Sequence, residues 1–302
     1  MSRKRRGYAR RQPPPQPRRP WRAIVLGGTA VVAVAAVAVA VVLSGSGQPV
    51  GGATAWSTLG TRDVHSLAFD PADPQHLFFG HHGGLLETKD GGVSWRATAL
   101  LNADAMNVAP PSAGFFQIAG HNVYMETADG GQTWQNVPNN LPGLDLHAFV
   151  VDPDDSAHAW AFAVGFGLFE TIDRGRTWEL RQPGGWGALT SFVESGKTIL
   201  LGVASAGLAR SDDGGRTWAV LGQPTGQLAS LAASADGGVL YAGTTQGVSR
   251  STDGGRTWVP TALEMVAVTV AVAPQDPNVV AVVDDKTRFF RSADGGASWP
   301  GP

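Results

Sequence analysis

An eight-residue pattern that returns six times constrains this chain more than any other feature: TKDGGVSW at 88–95, TADGGQTW at 127–134, TIDRGRTW at 171–178, SDDGGRTW at 211–218, STDGGRTW at 251–258 and SADGGASW at 292–299. Its aspartates, Asp90, Asp129, Asp173, Asp213, Asp253 and Asp294, are spaced by 39, 44, 40, 40 and 41 residues. A repeat of that length is one supersecondary unit that cannot bury its apolar face alone, and a period near 40 suits a four-stranded propeller blade. The pattern also has a local mechanism. Each Asp can accept hydrogen bonds from the backbone N–H groups of its own turn, and Gly92, Gly131, Gly175, Gly215, Gly255 and Gly296 tolerate positive φ. Trp95, Trp134, Trp178, Trp218, Trp258 and Trp299 then fold back as apolar anchors closing a hairpin. No ligand is needed for any of this.

Upstream of each copy stand two more apolar runs. Blade 1 reads VHSLAFDP, HLFFG and GLLETKD, and blade 5 reads LASLAAS, VLYAG and GVSRSTD. Runs without alternation are expected where both faces of each sheet are covered by neighbouring blades. A fourth strand follows each Trp, as in TWQNV at 133–137. The sixth copy ends at Trp299 with three residues beyond it, and TAWSTL at 54–59 looks like a post-Trp strand with no copy before it. The expected fold is therefore all-β: a six-bladed propeller over 54–302, closed by an N-terminal strand that completes blade 6. There is no cysteine, so disulfides and thiolate chemistry are excluded and stability rests on packing and strand pairing.

The net charge of −2 hides a division along the chain. Nine of the 23 Lys and Arg lie in residues 1–22, which hold no acid, leaving 14 basic against 25 acidic residues in the remainder. A nucleic-acid partner is excluded on that balance. Residues 23–43 carry no charge, and as a helix they span ~30 Å, the thickness of a bilayer's hydrocarbon core. The domain reading is a basic, Pro-rich cytoplasmic tail at 1–22, a single transmembrane α-helix at 23–43, a flexible linker at 44–53 and an extracytoplasmic propeller at 54–302, oriented by the positive-inside rule. A cleaved signal peptide is the alternative, since Ala53-Thr54-Ala55 has the small-x-small form, but the apolar run is long for one.

The S/T-x-D-x-G-x-x-W pattern resembles the Asp box of the BNR repeat families, which include sialidases, sortilin-like receptors and photosystem II assembly-factor-like propellers. In those families the box is a structural turn on the rim, so the resemblance implies that the six aspartates and six tryptophans hold blades together and do not catalyse. The segment at 63–85 also resembles the first blade of membrane-anchored bacterial Asp-box proteins labelled glycosyl hydrolases. Sialidases resemble one another in a tri-arginine clamp, an Arg-Ile-Pro motif and a Tyr/Glu nucleophile pair. Arg-Ile-Pro is absent here and the propeller holds two tyrosines, Tyr124 and Tyr241, so sialidase activity is rejected.

Among candidates for function, His65 and His147 sit at comparable starts of first strands, while His81, His82 and His121 fall in the loops between second and third strands. Neutral imidazoles suit ligand binding, metal binding or acid–base work. No H-x-x-x-H or carboxylate spacing along the chain singles out a metal site, and neither metal nor other cofactor is expected. Asp63, Asp145 and Glu194 are the acids nearest the expected channel ends. Directly before the boxes, blades 1 to 3 carry Glu87, Glu126 and Glu170, and blades 4 to 6 carry Arg210, Arg250 and Arg291, a half-acidic, half-basic ring suited to orienting a protein partner. Two functions follow: a membrane-anchored binding or assembly scaffold for a protein, glycan or envelope ligand, or a glycan-active hydrolase. The second would require two carboxylates converging in a deep pocket with His65 or His82.

Overall fold

The computed structural model describes residues 56, 63–112, 114–204 and 207–300. They form six antiparallel sheets in chain order. Blade 1 is β1 (Ser66–Asp70), β2 (Asp73–His81), β3 (Gly84–Thr88) and β4 (Arg96–Leu101); blade 2 is β5 (Asn107–Ser112), β6 (Phe115–Gly120), β7 (Val123–Thr127) and β8 (Gln135–Asn136). Blade 3 is β9 (Leu146–Val151), β10 (Ala159–Ala163), β11 (Gly167–Thr171) and β12 (Glu179–Gln182); blade 4 is β13 (Trp186–Glu194), β14 (Lys197–Ala204), β15 (Gly207–Ser211) and β16 (Ala219–Val220). Blade 5 is β17 (Leu228–Ala233), β18 (Leu240–Thr244), β19 (Gly247–Ser251) and β20 (Val259–Pro260), and blade 6 is β21 (Ala267–Ala273), β22 (Asp276–Asp284) and β23 (Phe289–Ser292). The first strands touch in a closed ring, β1 to β5, β5 to β9, β9 to β13, β13 to β17, β17 to β21 and β21 back to β1. This is the six-bladed propeller that the period predicts.

Burial follows radial position. The second strands β10 (AWAFA) and β18 (LYAGT) are buried at every residue, because each lies mid-sheet with a blade on either face. The outermost strands β8, β16 and β20 are two residues long and exposed, which leaves little free edge for another chain to pair with. The first strands line a central channel. One end is an apolar cavity of about 250 Å³ between Leu67, Phe149, Leu189, Leu231 and Val270, ringed by Pro71, Pro153 and Pro274. The other end, about 210 Å³, opens between His65, His147 and Trp186.

Every box closes by the same bonds. In blade 1 the Thr88 hydroxyl donates to Asp90 Oδ1 at 2.7 Å and accepts from Gly92 N at 3.0 Å. Asp90 also accepts from Ser94 N at 2.9 Å and from the Ser94 hydroxyl at 2.5 Å. Trp95 Nε1 donates to Gly92 O at 3.0 Å, which lays the indole back over the turn. The turn also meets the preceding blade. A Cβ on Gly175, whose φ is +81°, would stand 1.7 Å from the Tyr124 hydroxyl oxygen of blade 2, so only glycine seats box 3 there. In that box Arg174 occupies a left-handed position, φ 60°, that the other five boxes give to glycine.

Trp56 marks the seam between the last and first blades. Its Nε1 donates to Thr287 O at 2.6 Å, and its ring centroid lies 4.9 Å from Phe79, 5.1 Å from Trp95 and 5.6 Å from Phe289. The rest of the strand expected at 54–59 lies outside the described residues, as do the span expected at 23–43, the tail and the linker. Among the described residues no helix is long and apolar enough to cross a membrane.

Two predictions follow from this packing. Trp56→Ala removes a buried indole from the seam and should cost about 3–5 kcal/mol, read as a lower denaturant midpoint in chemical unfolding. Hydroxyl donation from Thr133, Thr217, Thr257 and Ser298 holds the carboxyls of Asp129, Asp213, Asp253 and Asp294 down to about 2. A depressed carboxyl contributes stability that is present above its unfolded value of 3.8 and is lost as pH falls toward about 2. Melting temperature should therefore be insensitive to these groups above pH about 4 and fall steeply between pH about 4 and about 2.

Candidate functional site at the channel mouth

At the end of the propeller away from the boxes, the strand starts of blades 1 to 3 bring their histidines together with three aspartates. The register explains why. Asp63, Asp104 and Asp145 each stand just before a first strand and are 41 residues apart, so the ring places them side by side. His81 and His82 lie in the turn between β2 and β3, and His121 in the matching turn of blade 2, on that same end. The connecting segments are pinned across blades: Asn102 N donates to Gly83 O at 2.9 Å and Ala105 N to His81 O at 3.3 Å, while His121 forms an isolated antiparallel bridge with Asp145. Gly120 has no side chain to spare here, because a Cβ would stand 1.8 Å from Asp104 O.

The result is a continuous cluster. In blade 1, Asp63 Oδ2 lies 2.5 Å from both the ring Nδ1 and the backbone N of His82, and His65 Nε2 lies 3.2 Å from His82 Nδ1. Asp104 reaches in three directions, to His65 Nε2 at 3.3 Å, His82 Nε2 at 3.6 Å and His121 Nδ1 at 2.6 Å. In blades 2 and 3, His121 Nε2 faces His147 Nε2 at 3.0 Å, and Asp145 Oδ1 is 3.3 Å from the first and 3.0 Å from the second. His81 stands at the margin, stacked on Phe79, with its Nδ1 accepting from Gly83 N at 3.1 Å. Burial holds His65 down to about 4, against the opposing pull of Asp104, and burial also lowers His81 and His147, so these rings stay neutral at ordinary pH.

Asp104 was not singled out by sequence, although the 41-residue step from Asp63 to Asp145 passes through it. Glu194, which was, ends β13 at the opposite end of the channel and is paired with Arg210. Carboxylates therefore do converge with His65 and His82, but at an open mouth where His82 is 40% exposed, and the channel below is walled largely by apolar residues.

The six charges before the boxes lie at the other end and differ in how they are satisfied. Glu87 binds His76 at 2.9 Å and Arg96 at 2.7 Å. Glu126 takes Arg176 of the next blade through two hydrogen bonds, at 2.7 and 3.1 Å. Glu170 meets His158 at 2.8 Å and also Arg181 and Arg216. Arg210 is buried against Glu194 and Asp212. Arg250 and Arg291 break the series: both are half-buried, each has an Nε shielded from solvent with no hydrogen-bond partner, and among the described residues neither meets a carboxylate within ion-pair distance. Burial lowers the guanidinium of Arg291, with Asp276 opposing from farther off.

A sequence profile of the photosynthesis system II assembly factor YCF48 family matches residues 53–207. No curated protein matches the sequence. Among solved structures, the GH74 xyloglucanase from Xanthomonas campestris is similar at 20% identity and a TM-score of 0.55, covering 85% of this chain and 46% of its own, so the chain spans about half that enzyme's length. YCF48 bound to a D1 peptide is similar at 20% identity and a TM-score of 0.51, covering 79% of this chain and 81% of its own. The structure of U3-55K shares 9% identity at a TM-score of 0.54, covering 79% and 80%. At these identities the likenesses concern the fold.

The paired charges can be tested as structural elements. Glu170→Ala strands Arg181, Arg216 and His158 at an inter-blade seam and should cost about 2 kcal/mol, seen as a lower melting temperature.

Proposed function

Because the chain belongs to the photosynthesis system II assembly factor YCF48 family, we propose that it is a binding or assembly scaffold that captures an acidic segment of a protein partner on its box-side face. The observation that carries this reading is the break in the charge ring. Of six equivalent positions, four meet an opposite charge internally, whereas Arg250 and Arg291, on adjacent blades, meet no carboxylate among the described residues and each keeps a shielded Nε–H without an acceptor, Arg291 donating through Nη2 only to Pro74 O at 3.3 Å. A half-buried guanidinium with an unmet Nε–H and no counter-charge costs stability, and an incoming carboxylate offsets that cost through charge-assisted, bidentate bonds. That a YCF48 structure holds a peptide supports a protein rather than a glycan as the partner.

The uncharged run at 23–43 places the scaffold at a membrane in this reading, with the basic tail cytoplasmic, the propeller extracytoplasmic and the strand at 54–59 completing blade 6. Since the chain has no cysteine, a single cysteine introduced at Ser2 or at the exposed Ala297 reports the topology by labelling intact cells with an impermeant maleimide, and only the second should react.

A second reading, glycan hydrolysis, draws on the convergence of Asp63, Asp104 and Asp145 with four imidazoles. The open mouth argues against it, because a general acid needs a dry pocket to raise its carboxyl.

Binding is tested with the full chain in detergent and a fluorescent Asp/Glu-rich peptide carrying a free C-terminal carboxylate. Binding should weaken with salt, and Arg250→Ala with Arg291→Ala should lower affinity by roughly tenfold or more without lowering the melting temperature. Arg256→Ala, on the exposed box turn, should change nothing. Equal affinity in the wild type and the double variant overturns the proposal.

A further inference from the structure

The geometry points to His121, Asp145 and His147 as a binding site for a divalent transition-metal ion of the zinc type, with Asp104 as the positioning residue and a fourth coordination place open to the channel mouth. The three donor atoms form a nearly equilateral triangle: His121 Nε2 to His147 Nε2 3.0 Å, His147 Nε2 to Asp145 Oδ1 3.0 Å, and His121 Nε2 to Asp145 Oδ1 3.3 Å. Ligands held at ~2.0–2.1 Å around one tetrahedral ion stand about 3.3 Å apart. The triangle thus has the size of one face of such a coordination sphere.

Hydrogen bonding satisfies the same arrangement only in part. Two ring nitrogens that face each other can share one proton. Asp145 Oδ1, shielded from solvent, is within reach of both, so that one proton must serve three lone-pair atoms. Asp104 settles the tautomer of His121: its Oδ2 lies 2.6 Å from Nδ1 and takes that N–H, which leaves the lone pair on Nε2 directed at the triangle. A carboxylate behind a ligating imidazole is the arrangement that fixes ring orientation and raises ligand basicity in metal sites. Two imidazoles and one carboxylate select zinc or its late first-row neighbours over calcium and magnesium, which prefer all-oxygen shells.

The neighbouring group of Asp63, His65 and His82 behaves differently. There the carboxylate clasps His82 through both the ring and the backbone at 2.5 Å, and His65 Nε2 stands off at 3.8 Å from the same oxygen. That geometry is already satisfied by hydrogen bonds, so the site is assigned to blades 2 and 3 alone.

The test uses the full chain purified in detergent and stripped by chelation, titrated with Zn²⁺ by calorimetry and with Co²⁺ by visible absorption. One equivalent should bind, Co²⁺ should give the intense spectrum of a four-coordinate ion, and Zn²⁺ should raise the melting temperature. His121→Ala with His147→Ala should abolish all three signals, and Asp104→Asn should weaken binding by roughly 10–100-fold. His65→Ala with His82→Ala should leave them in place. His147→Gln serves if the double alanine variant melts early in the absence of metal. The proposal fails if the folded wild type binds neither ion, if binding survives the loss of His121 and His147, or if it follows His65 and His82 instead. Arg250 and Arg291 lie at the opposite end of the strands, so loss of metal binding and loss of peptide binding are separable outcomes.

Discussion

The hydroxyl–carboxylate clasp at the end of each third strand is the interaction on which the ring depends. One Asp receives the Ser or Thr two residues before it and both the N–H and the hydroxyl of the residue four after it, as in the Thr171, Asp173 and Thr177 set. That closes a turn sharp enough to return the Trp indole over its own glycine carbonyl. The clasp is local, but its consequence is not. The folded-back turn presents its backbone to the previous blade, where Trp160 of blade 3 donates to Gly214 O of box 4 at 3.1 Å and Gln117 of blade 2 donates to Arg174 O of box 3 at 3.1 Å. Each box therefore sets the distance to its neighbour, and six such settings close a circle.

This division explains what could be read from the chain alone. A clasp made within eight residues leaves a full signature in sequence, and its period carries the blade count; strand burial follows because the second strands have no solvent face to encode. Trp56 was legible for the same reason, as a post-box residue without a box. The channel-mouth cluster is assembled by contacts between residues 17 to 39 positions apart, such as His65 with His82, Asp104 with His121 and His65 with Asp104. The histidines are legible because they fall at first-strand starts and in the turns between second and third strands, whereas Asp104 is not, since an isolated aspartate in a loop carries no local signal. It becomes visible when the blades are superposed in register, where it falls midway between Asp63 and Asp145. The charge ring was legible as a pattern of signs; that Glu126 and Glu170 are consumed by arginines from the following box is a property of blade spacing and not of any one segment.

A repeat protein concentrates specific chemistry where its copies differ, because whatever is common to all six blades is already committed to holding them together. Two departures stand out here, and they sit at opposite ends of the strands. On the box side, blades 5 and 6 lack the acids that would satisfy Arg250 and Arg291. At the mouth, blades 1 and 3 carry His65 and His147 on the channel rim where blades 2, 4, 5 and 6 carry Met106, Ala188, Ala229 and Val268. Grouping five histidines and three aspartates at one mouth is unfavourable unless protons or an ion link them, as neutral rings compete for a limited number of shared hydrogens. The rigid ring makes such grouping sustainable, since the boxes and the apolar seams close the circle at every blade whatever these side chains do. A fold whose stability resides in the boxes and seams leaves both rims free to carry strained, polar arrangements, and the two arrangements present on this chain differ in charge, geometry and chemistry as two separate sites would.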